Sequence, residues 1–245
     1  MKTDITQAVR AATIGQVKDI GATLLQAIPG EMSFETAADV LSRKTELIKL
    51  VRDFFPNPVN LSDPVKQWES FYQKYLGSTR DFSKVKIPER TAKQAIEFTR
   101  LIIVTGGLTR NQVYEACGKQ FPCYKYADDL DQAVPTNERD PKKGSYAIWV
   151  RDTVEADEVH QNKSVDMVTK EKLATETLLE RMLHELKYFA ETGKHLDVSN
   201  VTLCSGSRDS DGHVPRAYWN DGKFQVDWYV AVDRFACLRP REVVS

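Results

Sequence analysis

The chain has 245 residues, 41% hydrophobic and 28% charged, with 34 Lys and Arg against 35 Asp and Glu for a formal charge of −1. That balance argues against a broad electrostatic grip on nucleic acid or anionic lipid, and the length suffices to bury a core without metal or disulfide staples. No run approaches the ~20 apolar residues that span a bilayer. The start, MKTDITQAVRAATIG, lacks a secretory apolar segment, and Cys117, Cys123, Cys204 and Cys237 are too scattered for a disulfide framework. The expectation is a reduced, cytoplasmic protein.

In chain order, apolar residues at three- to four-residue steps predict a helix over Thr3–Ile28, ended by Pro29-Gly30. Ser33 is placed to cap a second helix that runs to the PNP at Pro56–Pro58. Asp63, Pro64 and Gly77 mark the start and stop of a third. A fourth is expected over Pro88–Val104, and Thr109 with Gln112 forms a capping box for a fifth. The last two, joined through Gly106-Gly107, have the layout of a helix-turn-helix, although Arg110 and Lys119 supply little phosphate-neutralising charge.

VPTNERDPKKGS, rich in Pro and charge, reads as a linker. Beyond it the pattern changes: a strand over Tyr146–Arg151, a long helix from about Thr169 to Gly193, then a strand ending at Cys204. In VPRAYWNDGKFQVDWY, Asp221-Gly222 has the chemistry of a two-residue type I′ turn, whose positions both need positive φ. That turn fixes the register. Trp219, Ala217 and Pro215 face Phe224, Val226 and Trp228 on one side, and Tyr218, Arg216 and Val214 face Gln225, Asp227 and Tyr229 on the other. The apolar side is expected to pack on the long helix. The fold class is α+β: a helical bundle over 1–134, a linker over 135–145, and a domain over 146–245 in which a small sheet packs on one helix.

CSGSRDSDGHVP, between the last strand and the hairpin, holds the candidate site. Cys204 or Ser205 could serve as nucleophile with His213 as base. Ser207, Arg208, Asp209, Asp211 and Arg216 could hold a polar ligand or an acidic partner. Ser, Asp and Gly are equally the residues of a plain turn. No residue set is assigned to a metal: HELK at His184–Lys187 lacks the second histidine of a zinc motif, and Glu155, Asp157 and Glu158 read first as a solvated acidic loop, with metal or general-base work as the alternative. No cofactor is indicated. Cys117 and Cys123 read as small buried hydrophobes.

The phrases YAIWVRDTVEADE, LLERMLHELKYFAETGKHLD and VTLCSGSRDSDGHVPRAYW resemble a family of hypothetical bacterial proteins carrying the same phrases in the same order. That family brings no established activity, so the resemblance implies no residue roles. WY…LRPR is similar to the ends of C-type-lectin-like and sulfatase-modifying-factor domains, which favours a ligand-binding loop over a catalytic one. The leading expectation is thus a binding or accessory module, followed by a hydrolase or transferase, and then DNA binding through the 109–119 helix.

Overall fold

The structure is a computed structural model that describes residues 20, 22–24, 26, 28–43, 46–47, 63–230 and 235–245. The chain divides into two compact units, Met1–Asp63 and Pro64–Ser245. In the first, helix α1 (Phe34–Ser42) begins as expected, with the Ser33 side chain accepting from the Thr36 amide. Most of the helix expected over Thr3–Ile28, and the continuation to Pro56, lie outside the described residues, so a helical bundle is not shown.

The second unit is mixed α and β throughout. Helices α2 (Pro64–Leu76) and α3 (Ala92–Glu97) lead into strand β1 (Arg100–Val104), then α4 (Arg110–Gly118), β2 (Cys123–Lys125), α5 (Leu130–Ala133), β3 (Thr136–Asn137) and β4 (Tyr146–Val150). After a short helix α6 (Val165–Lys170) comes the long helix α7 (Leu178–Thr192). Strands β5 (Val201–Leu203), β6 (Ser207–Arg208), β7 (Val214–Asn220), β8 (Lys223–Tyr229), β9 (Leu238–Arg239) and β10 (Val243–Val244) complete it. They form sheets of order β1-β4-β10, β2-β8-β7-β5-β9 and β3-β6. One apolar core, with Ile102, Ile148, Leu178, Met182, Leu186, Ala217 and Phe224 among its members, joins both larger sheets to α7. Among the described residues no helix is long and apolar enough to cross a membrane.

Several expectations hold in detail. The hairpin pairs Trp219 with Phe224, Ala217 with Val226 and Arg216 with Asp227, and Asp221 and Gly222 both take positive φ, 54° and 71°. Capping boxes form at Thr109 and Gln112, and Gly193 closes α7 in the left-handed conformation.

Others are corrected. The helix expected over Pro88–Val104 survives only as α3, because Arg100–Val104 pairs antiparallel with β4. Its Leu-Ile-Ile-Val run is buried at every position, and a continuous apolar run has no period by which to tell a strand from a buried helix. The helix-turn-helix disappears with it. The expected linker over 135–145 lies inside the second unit: β3 pairs with β6, and a 3₁₀ turn spans Pro141–Lys143. Helix α7 starts at Leu178 rather than near Thr169, with Thr177 and Glu180 as its capping box. The second face of the hairpin is partly covered, since Val214 packs with Val165, Leu203 and Tyr229.

The crossover from β5 to β7 passes so close to the start of α7 that only glycine fits. A Cβ on Gly206 would lie 2.8 Å from the Thr175 carbonyl oxygen and 3.2 Å from the Thr177 nitrogen, both backbone atoms unable to yield. Around Gly222 the space is open, and an added Cβ meets only the cost of its positive φ. Gly206→Ala, with its Cβ driven into backbone, is therefore expected to lose ~3 kcal/mol, the upper end of overpacking, and Gly222→Ala about 1–2 kcal/mol for the left-handed backbone alone. Urea unfolding of the two variants checks that order; a reversed order contradicts the close approach.

Candidate functional site

The crossover places the expected residues in distinct environments. Cys204 is fully buried, its amide donates to the Pro215 carbonyl at 2.8 Å, and burial pushes its thiol well above the ordinary range. A thiol so placed stays protonated and is no nucleophile at neutral pH. Ser205 is 2% exposed and its hydroxyl donates to the Leu203 carbonyl at 3.3 Å. Ser207 fastens the loop to helix α7: its hydroxyl donates to Asn137 Oδ1 at 2.6 Å and accepts from the Leu178 amide at 2.9 Å, satisfying one of the orphan donors at the helix start.

Asp209 organises the tip. Its Oδ1 accepts from the amides of Asp211 and His213, both at 2.8 Å, and its Oδ2 lies 3.1 Å from His213 Nδ1. The His213 ring sits 4.8 Å from that of Trp228. Asp211 is exposed. Among the described residues no hydrogen bond joins His213 to Cys204 or Ser205. Arg216 is engaged by both oxygens of Asp227 and lies over the rings of Tyr218 and Tyr229. Arg208 differs. Half-buried, it donates to the carbonyls of Ser205 and Ser207 and forms no ion pair among the described residues. Burial holds its guanidinium below the usual arginine range, with Glu138 and Asp166 opposing through space.

A second constellation went unread in the sequence. Every residue of α7 from Leu178 to Tyr188 is buried, Glu180, Arg181, His184, Glu185 and Lys187 included. A helix buried all round is normally apolar, so each of these charges requires a partner. Arg181 donates from Nη1 to Glu185 at 2.9 Å and from Nη2 to Asp197 Oδ2 at 2.8 Å. Arg241 meets the other oxygen of Asp197 at 2.7 Å and donates to Thr202 at 3.0 Å. Arg139 clasps Glu180 from Nε and Nη2 at 2.7 and 2.8 Å. Glu185 lies 2.9 Å from His195 Nδ1, whose ring stacks on Trp219 at 3.3 Å. Burial pushes the Asp197 carboxyl up, but Arg241 and Arg181 outweigh it and hold the group below its ordinary value.

Beside this network Glu176 Oε1 lies 2.9 Å from His184 Nδ1, both side chains fully buried. Burial pushes Glu176 up to about 7 against the pull of Arg241 and Arg181. Burial, helped by Arg241, Arg100 and Arg181, pushes His184 well down. The buried pair therefore holds about one proton between them below neutrality. Elsewhere, Asp157, His160 and Glu242 bring potential ligand atoms within 4.8 Å of one another, with Arg151 among them. No family model, curated protein or solved structure matches this chain. The fold and its two polar centres define an α+β protein whose exposed turn is braced by a buried ionic network.

The shared proton has a measurable consequence. In the unfolded chain, between the ordinary values of 4.5 for Glu176 and 6.5 for His184, the glutamate is ionised and the histidine charged, so the pair again carries one proton. Folding then changes proton uptake little across that window, and the pair adds little pH dependence. In His184→Leu, Glu176 keeps its raised pKa and binds a proton in the folded state that the unfolded state lacks. That stabilisation is present at low pH and lost as pH rises to about 7. Relative to the parent, the variant is expected to lose on the order of 2–3 kcal/mol between pH 5 and 7.5. Parallel stability–pH curves for the two proteins contradict the shared proton.

Proposed function

We propose that the protein is a cytoplasmic binding or accessory module that receives an anionic group, a phosphate or a carboxylate, at the Ser205–Asp209 turn. The observation that carries this is Arg208, a half-buried guanidinium held by two backbone carbonyls and without an ion pair among the described residues. Carbonyls orient such a group without neutralising it, and a bidentate anion supplies what they do not. Asp209, already spent on the turn, and Arg216, already spent on Asp227, brace the site rather than bind. The hydrolase alternative draws less support, because Cys204 and Ser205 are buried and among the described residues neither is hydrogen-bonded to His213.

The test is a thermal shift with inorganic phosphate and with a short acidic peptide. Ligand at 100 times its Kd is expected to add ~2.7 kcal/mol to the parent, with the gain lost in Arg208→Ala, partly kept in Arg208→Lys and unchanged in Asp211→Ala. Equal responses of the parent and Arg208→Ala, or none from either ligand, overturn the reading.

A further inference from the structure

The acidic stretch after β4 acquires a second role once the chain is folded. Asp157 follows that strand, His160 closes the 3₁₀ turn Glu158–His160, and Glu242 lies just before β10, bridged to Thr175. Asp157 and His160 are 3% and 8% exposed. His160 Nε2 lies 3.0 Å from Glu242 Oε2, and Asp157 Oδ2 accepts from the Glu242 amide at 2.8 Å. We propose that Asp157, His160 and Glu242 form a divalent-cation site whose resident cation is the guanidinium of Arg151, and that a metal ion displaces it.

The geometry of Arg151 is that of a competitor. Its Nη1 lies 2.5 Å from Asp157 Oδ2, and its Nη2 lies 2.9 Å from Glu242 Oε2 and 3.2 Å from Glu97 Oε2. A cation thus already touches two of the proposed ligands. Glu97 has Lys93 as a second cation at 3.9 Å, whereas Asp157 and Glu242 share the guanidinium of Arg151. His160 is 8% exposed, and the Nε2 edge of its ring is directed at Glu242, the position from which a neutral imidazole ligates a metal. Displaced, the guanidinium keeps a place outside the triad, on Glu97 and over the Phe98 ring 4.1 Å away.

The donor set, one imidazole and two carboxylates, suits Zn²⁺ or Mn²⁺ better than Ca²⁺, which takes oxygen alone. Bonds of ~2.0–2.2 Å set ligand atoms about 3.3–3.6 Å apart around a tetrahedral ion and at most about 4.4 Å apart when they lie opposite each other. The present span of up to 4.8 Å therefore has to contract by roughly 0.4–1.5 Å, into the space that the departing Arg151 guanidinium leaves. The proposal is independent of the anion-binding turn.

Chelator-stripped parent and Arg151→Ala proteins are titrated with ZnCl₂ and with MnCl₂, read by native mass spectrometry and thermal shift. One ion per chain is expected, bound at least about tenfold more tightly by Arg151→Ala than by the parent, because the variant removes a positive charge that competes for the same carboxylates and repels the ion. Binding is expected to be lost when His160→Gln or Asp157→Asn is added. If Arg151→Ala does not fold, Arg151→Lys, which keeps the charge but loses the fork, takes its place with the same order expected. No stoichiometric ion in the parent, Ala or Lys proteins overturns the proposal. So does an ion that survives both ligand substitutions, which would be surface binding elsewhere.

Discussion

The fold depends on one carboxylate. Asp197 sits after the end of α7 with φ of 53°, a left-handed conformation uncommon outside glycine. There it accepts from Arg181, Arg241, Thr202 and the Ala156 amide. Those donors come from the long helix, the C-terminal segment, β5 and the loop after β4. Each guanidinium is fully buried; Arg181 also holds Glu185 within its own helix, whereas Asp197 is the one carboxylate that Arg241 pairs with among the described residues. Burying charges costs more than their attraction returns unless the geometry is good, and an intact network adds little stability over an apolar core. What it does impose is a single arrangement: a shifted helix register leaves unpaired charges inside the protein.

The candidate site inherits that order. The turn carrying Arg208 is fixed at its base by Ser207, which caps α7 and bonds Asn137, and by Gly206, whose amide reaches the Glu176 carbonyl. Glu176 in turn donates its amide to the Arg241 carbonyl. The half-buried Arg208 is thus two residues from a segment clamped by the buried ionic network. A side chain supported in this way loses little freedom on binding, which is the condition under which a small anion can be held by few contacts.

The sequence disclosed what is local. The hairpin register followed from Asp221-Gly222 and two alternating faces, and the starts of α2 and α4 followed from Pro64 and from the Thr109–Gln112 box. Thr177 and Glu180 carry the same capping signal for α7, and reading it would have placed the helix start correctly. What stayed hidden depends on pairing across the chain. Nothing in LIIV distinguishes a strand beside β4 from the end of a helix. Glu180, Arg181, His184 and Glu185 look like the solvated face of an amphipathic helix until Arg139, Asp197 and Arg241, each remote in sequence, arrive to bury them. The cluster of Asp157, His160 and Glu242 was half visible in VEADEVHQ, but its third member lies at the far end of the chain. The turn itself was legible as polar and constrained; which of its side chains are spent on structure was not.

The central claim, that Asp197 holds the buried helix in place by pairing two arginines, is tested most directly by urea unfolding of Asp197→Asn. The amide keeps the shape and removes the charge, leaving Arg241 buried without a carboxylate among the described residues and Arg181 with Glu185 alone. A loss of about 3–5 kcal/mol is expected. A change below ~1 kcal/mol would mean that the two guanidinium groups find compensation elsewhere and that the network is not what fixes the fold.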